Sequence, residues 1–219
     1  MATALLPELA TGEQRFLLDG VDWRHYNQFL SLFEGRHVRL NYDRGTLEIR
    51  TTSGEHEWLK KLVARLFEVL TEELDVPIKS LGNWTLRRED LDRGLEPDEC
   101  WYIAHEEAVR NVVDFDLNVI PPPDLVVEIE VSRSVVNRLG LLAALGVPEV
   151  WRYNGRRLIV LVLDPNRQYV EREVSPTFPK IPPSAFVDHL QLRGTTDETT
   201  VVRTFRKWVQ SHGRGPSDN

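Results

Sequence analysis

The residues that invite a chemical reading lie between Pro121 and Trp151, PPPDLVVEIEVSRSVVNRLGLLAALGVPEVW. Three prolines stop the chain, and an alternating run follows. Leu125, Val127, Ile129 and Val131 fall on one side; Asp124, Val126, Glu128 and Glu130 fall on the other. Successive strand side chains face opposite ways, so one face carries three carboxylates. Acids in one row repel unless a positive group sits among them. A divalent cation would serve, as would a buried Arg or Lys, or plain solvent.

The segment after this strand offers a cation. A short Ser-Arg-Ser turn leads into a predicted helix with Val135, Leu141, Leu142 and Leu145 on one stripe and Arg138 in its middle. An arginine in an apolar stripe is costly unless it meets a carboxylate. The pattern therefore aims Arg138 at the acids, as part of a site or as a buried Arg–Glu pair that fixes packing. Gly146-Val147-Pro148 ends the helix.

Two further acids could join. In Glu96-Pro97-Asp98-Glu99-Cys100-Trp101-Tyr102-Ile103, Asp98, Cys100 and Tyr102 share a strand face. Asp98 reads as a site carboxylate or as a turn aspartate after proline. A long helix is predicted from about 54 to 74, buried along Trp58, Leu59, Leu62, Val63, Leu66, Val69 and Leu70. One turn back along its wheel, Glu55 falls on the buried stripe, unless Thr52-Ser53-Gly54-Glu55 is a capping box. His56 sits at the edge of that stripe.

The elements around these residues alternate. A helix is expected over 22–35 and a hairpin turns at Asp43-Arg44-Gly45. Short strands follow before and after Gly82-Asn83, and 87–94 reads as a charged turn. A second hairpin turns at Asn154-Gly155, an edge strand covers 168–174, and a proline-rich stretch holds a short helix at 183–190. An amphipathic terminal helix spans 197–211. This order predicts an α/β (α+β) fold, a mixed sheet flanked by helices, with strands 97–103 and 124–131 as neighbours in its middle. Asp98, Glu128 and Glu130 would then converge, with Glu55 and Arg138 approaching from two helices.

Composition limits the partners. The 219 residues carry a net charge of −7, so any grip on nucleic acid must be local. Candidate patches are Arg36, Arg39 and Arg44; Lys60, Lys61 and Arg65; and Arg152, Arg156 and Arg157. A single cysteine, Cys100, excludes an internal disulfide and a Cys-rich zinc site and suits the cytoplasm. No run of 18 apolar residues points to a membrane span.

The segments EPDE, PPPDLVVEIEVS and LLAALGVPEVWRYNG resemble the Uma2 family, also called DUF820, whose members resemble PD-(D/E)XK restriction-endonuclease-like nucleases. The resemblance covers roughly 15–175, with an extension over 1–14, a C-terminal extension with a helix over 176–211 and a disordered tail over 212–219. It implies a restriction-endonuclease-like sheet and a Mg²⁺- or Mn²⁺-dependent endonuclease acting on DNA. Asp98 and Glu128 would be metal ligands, with Glu55 as a further one, and Arg138 would stand in the slot of the catalytic lysine. It also implies a homodimer. Arginine, with a pKa above ~12, offers charge and hydrogen bonds but no general base. Two alternatives remain: a non-catalytic protein of this fold that binds nucleic acid or is structural, with Arg138 neutralising the acids, and a glycosidase-like pair of acids. No aromatic-rich sugar groove supports the last.

Overall fold

A computed structural model describes residues 14–130 and 136–213. The elements run β1 (Arg15–Leu18), α1 (Trp23–Phe33), β2 (Val38–Asp43), β3 (Thr46–Thr51), α2 (Gly54–Glu73), β4 (Lys79–Gly82), β5 (Leu86–Arg88), β6 (Arg93–Leu95), β7 (Glu99–Tyr102) and α3 (Glu106–Val109). They continue as β8 (Leu125–Ile129), α4 (Arg138–Leu145), β9 (Glu149–Tyr153), β10 (Leu158–Leu163), β11 (Tyr169–Arg172), α5 (Pro183–Leu190) and α6 (Glu198–His212).

Local chemistry sets most boundaries. The side chains of Asp22, Ser53 and Asp197 accept the first free amides of α1, α2 and α6. Gly146, at φ 86°, ends α4 in the left-handed region that favours glycine. At the β9–β10 hairpin, Asn154 Oδ1 accepts from the amides of Arg156 and Arg157. One expectation shifts, and one is not tested. The segment read as a charged turn over 87–94 is a β5–β6 hairpin, with Arg87 opposite Gly94. The turn expected at Ser132–Ser134, together with Val131 and Val135, lies outside the described residues.

The strands form two sheets rather than one. A six-stranded mixed sheet has the order β11-β10-β9-β8-β7-β4, and a five-stranded antiparallel sheet the order β1-β3-β2-β6-β5. Within the larger sheet β8 and β9 run parallel, joined through α4, while β7 and β8 run antiparallel. One face packs on α2, α5 and α6 through Phe67, Trp101, Trp151, Phe178 and Phe186. The opposite face packs on α4 through Val126, Leu141, Leu142, Leu145 and Val150. The chain over 176–211 therefore shares the main core. Trp101 and Trp151 are fully committed to that core. Among the described residues no helix is long and apolar enough to cross a membrane.

Candidate functional site: a buried ion network between the sheets

The antiparallel register pairs Glu99 with Val127, and one further step sets Asp98 opposite Glu128. Leu125, Val127 and Ile129 point into the aromatic core, so strand alternation sends Val126 and Glu128 to the other face. The β2–β3 hairpin of the second sheet meets this point. Its Leu47 and Ile49 pack towards α1, which leaves Glu48 and Arg50 on the opposite side. Both are buried, as is Asn41, the cross-strand partner of Glu48.

Burial this deep demands partners. Asp98 has no exposed surface. Its Oδ1 accepts from Arg50 Nη2 at 3.0 Å, and its Oδ2 accepts from the Ile129 amide at 2.8 Å and contacts His56 Nε2 at 3.1 Å. Burial works against the Asp98 charge, but the His56 bond and the Arg50, His56 and Arg138 charges prevail and hold its carboxyl well below the usual range. Burial likewise opposes charge on His56. Bonding to Asp98 outweighs it and lifts the imidazole from 6.5 to about 9. His56 is therefore an imidazolium at neutral pH.

Glu128 is gripped by Arg138. Nη2 donates to Oε1 at 2.6 Å and approaches Oε2 at 2.5 Å, while Nε donates to Oε2 at 3.0 Å. The same guanidinium donates through Nη1 to Asn41 Oδ1 at 2.7 Å and through Nη2 to the Glu96 carbonyl at 3.2 Å. Asn41 Nδ2 in turn donates to Glu48 Oε2 at 2.7 Å. Burial pushes the Arg138 pKa down, and the charges of Glu128 and Asp98 more than offset it, so Arg138 stays a cation. The two sheets are thus tied together by the buried Arg50–Asp98 charge pair and by the hydrogen bond from Arg138 to Asn41.

A cavity of about 280 Å³ opens over this network, lined by Arg15, Arg50, Glu128, Ile129, Glu130, Val136, Asn137, Arg138, Leu139 and Arg152. Four arginines face two glutamates in that lining. The N-terminus of α4 is part of the wall: Asn137 caps the helix and Arg138 is its first residue. Helix N-termini carry partial positive charge and free amides. At the rim Glu130 Oε2 lies 3.3 Å from Arg152 Nε. The lining thus carries more cationic than anionic side chains.

The structure brings Asp98, Glu128 and Arg138 together, and Glu130, also expected there, lies in the cavity lining beside Arg152. Glu55 is a correction. It is exposed in the first turn of α2, and His56 is the residue of that turn that reaches Asp98. Both lie one turn before Leu59, and extrapolating the wheel selected the wrong one. Asn41, Glu48 and Arg50 were not anticipated. Their only sequence signal is the alternation within Leu40–Tyr42 and Leu47–Arg50, which marks a polar face but not what covers it. Asp124 is also a correction to the three-acid row. It sits at the far end of β8 and accepts from the Ile103 and His105 amides, away from the cavity.

Whether these residues fit a divalent metal can be judged from their bonds. A hard cation takes carboxylate oxygens at about 2.0–2.6 Å and keeps several waters. Here both oxygens of Asp98 and both of Glu128 already accept from cationic or amide donors. Among the described residues no group of three His, Cys, Asp or Glu side chains could hold a metal ion. The arrangement does not fit a metal, and the expected cluster of Asp98, Glu128 and Glu55 is not formed.

The chain is similar in structure to a DUF820 "putative nuclease" from Anabaena variabilis ATCC 29413, with 15% identity, a TM-score of 0.44, and coverage of 76% of this chain and 90% of that one. No curated protein matches the chain. The model of the Uma2 family, described as "Putative restriction endonuclease", matches residues 23–194. That stretch contains both sheets' site residues apart from Arg15, and the chain belongs to the Uma2 family.

Proposed function

We propose that this chain is a nuclease-family protein that binds the phosphodiester backbone of DNA at the arginine-lined cavity, with an ion-paired centre in place of a metal-loaded one. The observation that carries this reading is the lining itself. In a protein of net charge −7, four arginines and a helix N-terminus converge on one small cavity over two neutralised carboxylates. Arginine forks match phosphate oxygens, and the residual charge favours an anion. Binding would be local and salt-dependent. Fluorescence anisotropy of a labelled DNA duplex, titrated in EDTA over a series of salt concentrations, tests it. Wild type should bind, and Arg152→Ala should weaken binding and reduce the salt slope by about one. A wild type that binds no DNA at low salt contradicts the proposal.

A second reading is hydrolysis of DNA by a Mg²⁺- or Mn²⁺-dependent endonuclease. It is favoured by one observation, the opposition of Asp98 and Glu128 on adjacent strands beside Arg138. Metal-dependent nicking of plasmid DNA by wild type, lost in Asp98→Ala, would establish it. A homodimer, in which two cavities address one duplex, belongs to the same proposal; a sedimentation mass near 25.3 kDa at micromolar concentration would exclude it.

A further inference from the structure

We infer that Arg50 is a resident counter-ion, occupying the cation position on Asp98 and closing the Asp98–Glu128 pair to divalent metals. Three observations carry this. Arg50 comes from β3 of the five-stranded sheet, yet its Nη2 lies 3.0 Å from Asp98 Oδ1, and its side chain is only 4% exposed. Its Nε has no hydrogen-bond partner among the described residues, so the guanidinium tolerates an unpaired donor in order to sit against Asp98. Arg138 covers both oxygens of Glu128 in the same way.

Charge and geometry lead to the same conclusion. Two guanidinium groups supply the two positive charges that one divalent cation would bring. They do so at opposed carboxylates that such a cation would have to bridge. A metal at this point must displace Arg50 from Asp98, Arg138 from Glu128, or both. Both side chains are already largely buried, 4% exposed at Arg50 and 11% at Arg138, so displacing either one means repacking it rather than swinging it into solvent. Arg138 alone would leave one oxygen of Asp98 available; Arg50 removes it. On this account Arg50, more than the arginine in the lysine slot, sets the metal response of the site.

The inference concerns the site on which the proposed DNA binding rests, but it is tested without DNA. Free Mn²⁺ is measured by electron paramagnetic resonance during titration into full-length wild type, Arg50→Met and Asp98→Asn, with melting temperature recorded on the same samples. Wild type should leave Mn²⁺ free up to millimolar concentration, with no change in melting temperature. Arg50→Met should melt lower in EDTA, bind Mn²⁺ and recover several degrees with it. Should Arg50→Met not fold, Arg50→Thr, a strand-favouring residue without a cation, takes its place. Tight Mn²⁺ binding by wild type that Asp98→Asn abolishes would overturn the inference. So would a folded Arg50 variant that gains no Mn²⁺ binding, because removing the counter-ion would then have opened nothing. Wild type that binds both Mn²⁺ and DNA overturns this inference and leaves DNA binding standing. Wild type that binds neither does the reverse.

Discussion

Asp98 and Asp124 are both buried aspartates, each placed one residue before a strand of the central sheet. Each accepts a backbone amide and each contacts a histidine. What separates them is the origin of the partners. Asp124 ties down a connection, taking the amides of Ile103 and His105 at 2.7 and 3.0 Å and the ring of His105, a residue 51% exposed. Asp98 gathers side chains from β3 and α2 and the amide of Ile129, and its histidine has no exposure. A carboxylate that closes a loop satisfies itself with amides nearby. One that collects distant cations must be neutralised by tertiary structure, and a cavity lies above it.

That contrast sets the expected sizes of effects. Asp98→Ala leaves Arg50 and protonated His56 buried without a counter-charge, which costs about 3–5 kcal/mol in chemical denaturation. Arg138→Ala falls in the same range of about 3–5 kcal/mol, because Glu128 is stranded. Asp124→Ala removes the acceptor of two amides while His105 turns to water, costing roughly 1–3 kcal/mol. Equal costs at Asp98 and Asp124 would erase the distinction.

His56 sharpens it through pH. The His56 pKa is raised on folding, from 6.5 to about 9, through its bond to Asp98. Its stabilisation is fully present below 6.5 and is lost as pH rises through 9, a change of roughly 3 kcal/mol by linkage. Denaturation midpoints for wild type should fall across that window and those for His56→Gln should stay flatter. A wild-type profile that rises from pH 6.5 to 9 would contradict the assignment. The smallest effect belongs to the rim. Arg152 and Glu130 form a half-exposed pair, so Glu130→Gln should change stability by less than about 1 kcal/mol. The same substitution removes a negative charge from the cavity and should tighten DNA binding.

Alternation explains what the sequence revealed and where it stopped. Period-2 patterning put Asp98 and Glu128 on one face of adjacent strands, and the structure keeps them there. The helical stripe aimed Arg138 at the acids, although it opens α4 instead of lying within it. A pattern of polar residues cannot say whether water or another sheet lies opposite. The hairpin face of Asn41, Glu48 and Arg50 reads as wet, and it is the lid over the site. Nor does a helical wheel fix its phase at a terminus to within one residue, which is the distance from Glu55 to His56. The five-stranded sheet rests on pairings between β2 and β6, fifty or more residues apart, that no local signal carries.

The central claim is that arginines, not a metal, neutralise the buried carboxylates, and that the cavity so formed takes DNA. Incubation of one DNA substrate with wild type and Asp98→Ala, in EDTA and in Mn²⁺, followed for both binding and strand cleavage, addresses it most directly. The account predicts that wild type binds equally in EDTA and Mn²⁺ and leaves the strands intact. Cleavage that requires Mn²⁺ and disappears in Asp98→Ala would contradict it.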